Sequence, residues 1–376
     1  MIRRQLARLK PVLAAAEARA RRVQSAAGLA PVRPPVGIAI ERADWAIRWY
    51  GTFIAEEANR LQPGTAWVTT NPAQLTGGVV EFGSQYQWLQ WASHLSPRCR
   101  FASTFFHGKP EDGPDVARHI EAFMAALPKL DRVVCSASIV RDRLLAWGAP
   151  AAKLALIPIG CETGRFLPPS EAERAAARRR FAIPDGKIVV GSFQKDGEGW
   201  GEGLTPKMIK GPDVFVETID RLRRHADVFV LLTGPARGFV KQGLERLGVP
   251  FAHHYAGDRD DLARCYHALD LYLVTSREEG GPMALMESMA SHVPVVSTPV
   301  GMAPDLIRDG LTGGLVASVS ADLIAERALT LLADADGLEA MKAAARDAVG
   351  VADWAVVARR HLDEVWRPLL ADLKNG

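Results

Sequence analysis

From Pro34-Pro35 onward, short β-branched runs alternate with amphipathic stretches, and the alternation comes in two series parted by a segment without strands. This pattern constrains the chain most, because strand and helix in strict alternation build parallel sheets with helices on their faces. The first series has expected strands at VGIAI (36–40), AWVTT (66–70), RFASTFF (100–106), DRVVC (131–135) and LALIPI (154–159). The second has KIVVGSF (187–193), DVFVLLTG (227–234), LDLYLVTS (269–276), VPVVSTP (293–299) and GGLVA (313–317). Helices fall between them: DVARHIEAFMAAL and SASIVRDRLLAWG carry apolar residues at three-four spacing, and Gly148 closes the second. Between the series, GRFLPPS, the charged run EAERAAARRRF and IPDG predict a linker containing one helix. The expected class is α/β, with a helical extension over 1–35, a parallel-sheet domain over 36–160, a linker over 161–185 and a second parallel-sheet domain over 186–350. A helical tail over 351–376 puts Trp354, Val357, His361 and Val365 on one face, packing back towards the first domain. Two such domains in succession create a cleft between the carboxyl ends of two sheets, where ligands of these folds bind.

The length, 376 residues, exceeds what one hydrophobic core usually supports, which agrees with two domains. With 48% hydrophobic and 24% charged residues the chain is of globular composition, and a net charge of +3 is too small to imply nucleic acid. The basic excess is concentrated early. From Met1 to Pro35 stand Arg3, Arg4, Arg8, Lys10, Arg19, Arg21, Arg22 and Arg33 against Glu17 alone. A basic helix lying on an anionic membrane or partner and a solvated arm both fit this segment. An organelle transit peptide is a third reading, weakened by the lack of serine enrichment. No run of about eighteen apolar residues suggests a membrane span, and no apolar block marks a secretory signal. The expectation is a cytoplasmic protein, peripheral on the inner face of the membrane if residues 1–33 bind there. Cys99, Cys135, Cys161 and Cys265 are scattered without metal-ligand spacing, so reduced thiols and no structural zinc are expected.

The stretch SREEGGPMALMESMASHVPVVSTPVG (276–301) places Glu279 on the loop at a strand's carboxyl end and Glu287 inside the following helix. Backbone amides of Gly280, Gly281 and the first helical turn would point into the cleft, where a hydroxyl or phosphate can approach closely. Glu287 lies roughly 8 Å further along the axis at about 1.5 Å per residue. Two acceptor-only groups so spaced can each hold the hydroxyls of a different ring of one ligand, and a nucleotide sugar has two such rings.

These residues resemble the E-x7-E signature of retaining glycosyltransferase family 4, the group 1 glycosyltransferases of GT-B fold, and PVVSTPVGMAPDLIRDGLTGGLV resembles its continuation. The resemblance implies that Glu279 contacts the donor sugar and Glu287 the nucleotide ribose. It extends to GSFQKD and KMIKGPDVFVETI, where it puts Lys195 and Lys210 on the donor diphosphate. Two cations beside a helix N-terminus neutralise a diphosphate without a metal. TFFHG resembles the family's His-Gly, which makes His107 the candidate beside the donor sugar. LLTGPARG and YAGDRDDLARCY match regions that contact diphosphate and base, giving Gly234, Arg237 and Tyr255 as further donor-binding candidates. Before Phe101 the likeness is poor: no glycine-rich turn follows the first strand, and Trp45, Arg48 and Trp49 either line the acceptor site or belong to the core. The loop DGEGWGEGLTP, with Trp200 at its centre, is longer than the family's; a mobile flap and a surface loop are both open. The triplets Asp258-Arg259-Asp260 and Asp334-Ala335-Asp336 are read as structural, the first as an N-cap, and no metal or other cofactor is expected.

The resemblance thus implies a retaining transferase that moves a sugar from a UDP- or GDP-linked donor to a cell-envelope glycan or glycolipid held by the first domain. Front-face displacement would let the leaving diphosphate take the acceptor's proton. An epimerase of nucleotide sugars and a non-catalytic nucleotide-sugar-binding protein are the alternatives. Donor base, sugar, linkage and oligomeric state are not specified by these motifs.

Overall fold

The computed structural model describes residues 33–42 and 46–375, with isolated positions at 16, 19, 20 and 23. Most of the basic segment 1–33, with the membrane contact expected of it, and Trp45 lie outside the described residues. The chain forms two compact units, Met1–Gly160 with Trp354–Gly376 and Cys161–Asp353. Among the described residues no helix is long and apolar enough to cross a membrane.

The first unit holds strands β1 (Val36–Ala39), β2 (Ala66–Thr69), β3 (Gly78–Phe82), β4 (Cys99–Phe105), β5 (Arg132–Cys135) and β6 (Leu154–Leu156). They form one parallel sheet in the order β2-β1-β3-β4-β5-β6. The chain reverses direction across the sheet between β1 and β3, the position at which doubly wound folds bind ligands. The second unit holds β7 (Ile188–Phe193), β8 (Val228–Thr233), β9 (Phe251–His254), β10 (Leu271–Val274), β11 (Val295–Ser297) and β12 (Gly314–Leu315). Their order, β12-β11-β10-β7-β8-β9, is the Rossmann order, and its switch point falls between β7 and β10. Two six-stranded parallel sheets with alternating helices agree with the GT-B fold that the resemblance implies.

Helix Pro212–Leu222 shows how the alternation becomes structure: Val214, Phe215, Thr218, Ile219 and Leu222 share one buried face. That face packs on the second sheet with Val190, Val230, Leu232, Leu271 and Leu273, all essentially inaccessible. Each large aliphatic or aromatic side chain so buried stabilises by about 1.5–3 kcal/mol. The segment after Cys161 packs into the second unit through helix Glu171–Arg180, capped by Ser170 and Glu173. There Arg178 lies 2.9 Å from Asp270, which also bonds Arg174 and accepts the Val189 amide at 2.7 Å.

Two strands are additions to the expected set. The edge strand β9 reads FAHH, without an apolar run. In β3 a charged residue, Glu81, sits at the centre of the sheet between Ile38 and Ala102 and is fully buried. Its partners come from the C-terminal segment. His361 Nδ1 lies 3.0 Å and 3.3 Å from the two carboxylate oxygens, and the Trp366 indole donates to the second. On its other side His361 Nε2 is 3.2 Å from the Tyr50 hydroxyl, which is 3.1 Å from Thr104 Oγ1. Burial, with the Glu81 charge, pushes the Tyr50 phenol well above its ordinary range. Trp354, Val357, His361 and Val365 are buried together, as their spacing predicted. The tail is thus joined to β3 by a charged network inside the unit.

Replacing Glu81 by Ala removes the acceptor of two buried donors, so we expect a loss of about 2–4 kcal/mol in the stability of this unit. Calorimetry should show its transition several degrees lower; a midpoint within about one degree of wild type would contradict the network's role.

Candidate functional site

At the switch point of the second sheet, the loop after β10 meets the turn that leads into helix Pro212–Leu222. Gly211 makes the contact possible. Its φ is +63°, and a Cβ there would lie 1.9 Å from the Thr275 carbonyl oxygen, so a side chain is excluded by both strain and collision. Thr275 Oγ1 donates to the Gly211 carbonyl at 2.9 Å, and the Arg277 amide donates to Ile209 at 2.8 Å. Arg277 then grips Asp213 with two nitrogens, at 2.8 and 2.6 Å. The result brings Lys210 Nζ to 2.5 Å from Glu279 Oε1, which also accepts from Ser276 Oγ at 2.9 Å. Lys210 and Glu279 are therefore adjacent. Neither adjoining helix, Pro212–Leu222 or Met283–Ala290, has a side-chain N-cap; the first carries Asp213 in its first turn, paired with Arg277, and the second has no acid there.

Glu287 lies in helix Met283–Ala290 and is 4% exposed. Its oxygens accept from Arg259 at 3.0 Å and from the Tyr266 hydroxyl at 2.8 Å. Burial pushes its carboxyl above the ordinary value, opposed chiefly by the Arg259 charge. Arg259 also pairs with Glu162, so this carboxylate sits inside a three-membered charged chain. Gly280 and Gly281 connect the two glutamates, and the backbone of Gly301 closes on the carbonyls of Glu279 and Gly280.

Lys195 follows β7, its ammonium 3.9 Å from the centre of the Trp200 ring. The loop carrying Trp200 is closed at its base: Gly197 bridges Pro206, Glu198 donates to Thr205 at 2.9 Å and Lys207 to Asp196 at 2.7 Å. Its far side accepts the amides of Gly238 and Phe239 through Glu202 and Gly203, at 2.6 and 3.0 Å, and so caps helix Gly238–Leu247. Arg237 has an internal role. Buried with Asp196, it bonds that carboxylate at 2.9 Å and also the Ser192 and Thr233 carbonyls and the Ser192 hydroxyl. The guanidinium that the motif suggested for a phosphate is occupied in fastening the loop to the ends of β7 and β8. Gly234 ends β8 with φ +84° against the Gln194 carbonyl, and that glycine's own carbonyl accepts from His253 Nε2 at 2.8 Å. Tyr255 is 62% exposed. It shares with Trp200, Leu204, Lys241, Gln242 and His253 a cavity of about 510 Å³.

One residue that the motifs did not single out belongs here. Lys207, half-buried, is held below the ordinary lysine range by its burial and then by the Lys210 and Lys195 charges. The doubled lysine in PKMIK, three positions apart, was the available signal.

Of the donor-site candidates, His107 lies in the first unit, just past β4. The Gln85 side chain fixes its backbone, accepting the Phe106 amide at 3.3 Å and donating to the His107 carbonyl at 3.2 Å. Asp258 and Asp334 each cap a helix, accepting the amides of Asp261 at 2.7 Å and Gly337 at 3.0 Å. Among the described residues no group of three or more His, Cys, Asp or Glu side chains is placed to hold a metal ion.

Residues 203–334 match the family model of the glycosyl transferases group 1. Among curated proteins, the chain is similar to the GDP-mannose-dependent alpha-(1-6)-phosphatidylinositol monomannoside mannosyltransferase of Mycobacterium tuberculosis, 31% identical over 238 residues, 60% of this chain and 58% of that one. It is also similar to the D-inositol 3-phosphate glycosyltransferase of Actinosynnema mirum, 30% identical over 257 residues, 64% of this chain and 57% of that one. The chain thus spans less than two thirds of the length of these relatives. In fold it resembles Anabaena HepE, solved in complex with UDP, with TM-score 0.71 at 15% identity over 89% of this chain and 99% of that one. WaaG, a glycosyltransferase involved in lipopolysaccharide biosynthesis, gives 0.64 at 16% identity over 88% and 99%.

Within the second unit the ion pairs differ in burial, and their energetics should differ accordingly. Arg237→Met leaves Asp196 buried and uncompensated and should cost about 3–5 kcal/mol, whereas Lys210→Met, at a partly exposed pair, should cost about 1 kcal/mol or less. Urea unfolding of both variants tests this; equal losses would contradict the internal role of Arg237.

Proposed function

We propose that the protein is a retaining glycosyltransferase that moves a sugar from a UDP- or GDP-linked donor to a glycan or glycolipid acceptor without a metal. The observation that carries this reading is the meeting of Lys210 and Glu279, 69 residues apart in sequence, beside two helix N-termini. A cation and a carboxylate so placed suit a diphosphate and the hydroxyls of the sugar attached to it. The names of the relatives agree in kind: one is GDP-mannose-dependent, another is a D-inositol 3-phosphate glycosyltransferase, and HepE was solved with UDP.

In this reading Lys210 and Lys195 receive the leaving diphosphate. Charge grows there as the glycosidic bond breaks, so the ammonium groups act more on the transition state than on the bound donor. The diphosphate takes the proton of the incoming hydroxyl on the same face. Glu279 orients the donor sugar, Glu287 the ribose, and the exposed rings of Tyr255 and Trp200 offer faces on which a base can stack. Acceptor recognition falls to the first unit, His107 remains the candidate beside the donor sugar, and residues 1–33 are a candidate contact with an anionic membrane surface.

The test is a panel of UDP- and GDP-sugars scored for thermal stabilisation and for release of nucleotide. One donor should stabilise the wild-type protein and be slowly hydrolysed, and Glu287→Ala should lose both effects. Lys210→Ala should lower turnover by at least about tenfold while changing donor affinity less. Lack of stabilisation by every donor, or recovery of the nucleotide with an altered sugar, would contradict the transferase reading.

A further inference from the structure

The turn that bears Lys210 begins at Lys207, and the closed base of the Trp200 loop sets Lys207 beside the strand end that bears Lys195. Two backbone bonds do this: the Lys207 amide donates to Asp196 at 2.7 Å, and the Lys210 amide donates to Lys207 at 2.8 Å. Three lysines are thereby held at the carboxyl end of β7, where the Lys210 carbonyl also accepts from the Gln194 side chain at 3.2 Å and the Lys210 and Lys195 charges act on the Lys207 ammonium. Their present partners differ. Lys210 is paired with Glu279, and Lys195 lies against Trp200. Among the described residues Lys207 has no hydrogen-bonded carboxylate; Glu198 and Glu279 are the nearby anions, and each of the neighbouring lysines opposes its charge.

A half-buried ammonium beside two others is unfavourable in the free protein, and the arrangement persists because the backbone pairing imposes it. A ligand carrying several negative charges within one small group relieves that repulsion. The diphosphate of a nucleotide has this chemistry, and Lys210, already paired with Glu279, does not match its charge alone.

We propose that Lys207 is a third anion-binding cation of the site, contacting the diphosphate of the nucleotide ligand together with Lys195 and Lys210. The inference rests on the nucleotide-sugar reading above and adds to it a residue outside its motifs. Lys207 acts on the phosphates alone, so its removal weakens diphosphate binding and leaves nucleoside binding unchanged.

Calorimetric titration of the full chain with inorganic pyrophosphate, UDP, GDP, uridine and guanosine tests this, using wild type, Lys207→Met and Lys207→Arg. Lys207→Met should bind pyrophosphate and the preferred nucleoside diphosphate about tenfold more weakly, with a shallower dependence on salt and an unchanged unfolding midpoint. Lys207→Arg should recover most of the affinity. Binding of pyrophosphate and the diphosphate by Lys207→Met within about twofold of a wild type that binds them well overturns this inference and leaves the nucleotide-sugar reading standing. A wild type that binds neither UDP nor GDP overturns both.

Discussion

The contact between the turn at residues 208–211 and the loop after β10 is the interaction on which the candidate site depends. It joins the two strands that flank the switch point of the second sheet, β7 through its following turn and β10 directly. Gly211 permits the approach, Thr275 and the Arg277–Asp213 fork hold it, and Lys210 and Glu279 meet as its consequence. A single backbone conformation that only glycine adopts easily thus determines whether a cation and a carboxylate share one point in space.

Three ion pairs of the second unit differ in burial, and burial separates their tasks. Arg237 and Asp196 are fully enclosed, and burial raises the Asp196 carboxyl even against the arginine's charge. Such a pair contributes position more than stability, because desolvating two charges offsets most of their attraction. Arg259 and Glu287 are intermediate, with Tyr266 completing the carboxylate's bonding. Lys210 is exposed enough to exchange Glu279 for an anionic ligand at small cost. The loops are locked by the first two pairs so that the third can be reorganised.

Much of this was legible in the sequence. Parallel strands covered on both faces are continuous apolar runs, which is why β4, β5, β7, β8 and β10 stand out and the two-series pattern was readable. Strand β3 was not, because it is flanked by glycines and carries Glu81, whose partner His361 lies 280 positions away. No local pattern announces that a buried charge will be matched from the far end of the chain. The placement of Glu279 on a loop and Glu287 within a helix followed from spacing and from Pro282. The burial of Arg237 is hidden in the sequence for a related reason. A conspicuous arginine after a strand suits a phosphate, but its buried partner Asp196 was visible only as one acid in a glycine-rich loop. The sequence of that loop fits a flap and a surface feature equally; its paired base and its bonds to helix Gly238–Leu247 hold its ends closed. Lys207 escaped notice because its significance lies in the pairing with Asp196, a contact across that loop.

The central claim is that the region around β7 and β10 in the second unit receives a nucleotide diphosphate. Hydrogen–deuterium exchange of the full chain, with and without the stabilising nucleotide, measures this most directly. The account predicts that added protection concentrates in residues 194–211, 234–238, 255–259 and 277–288. Protection absent from these segments, with the nucleotide bound, would contradict it.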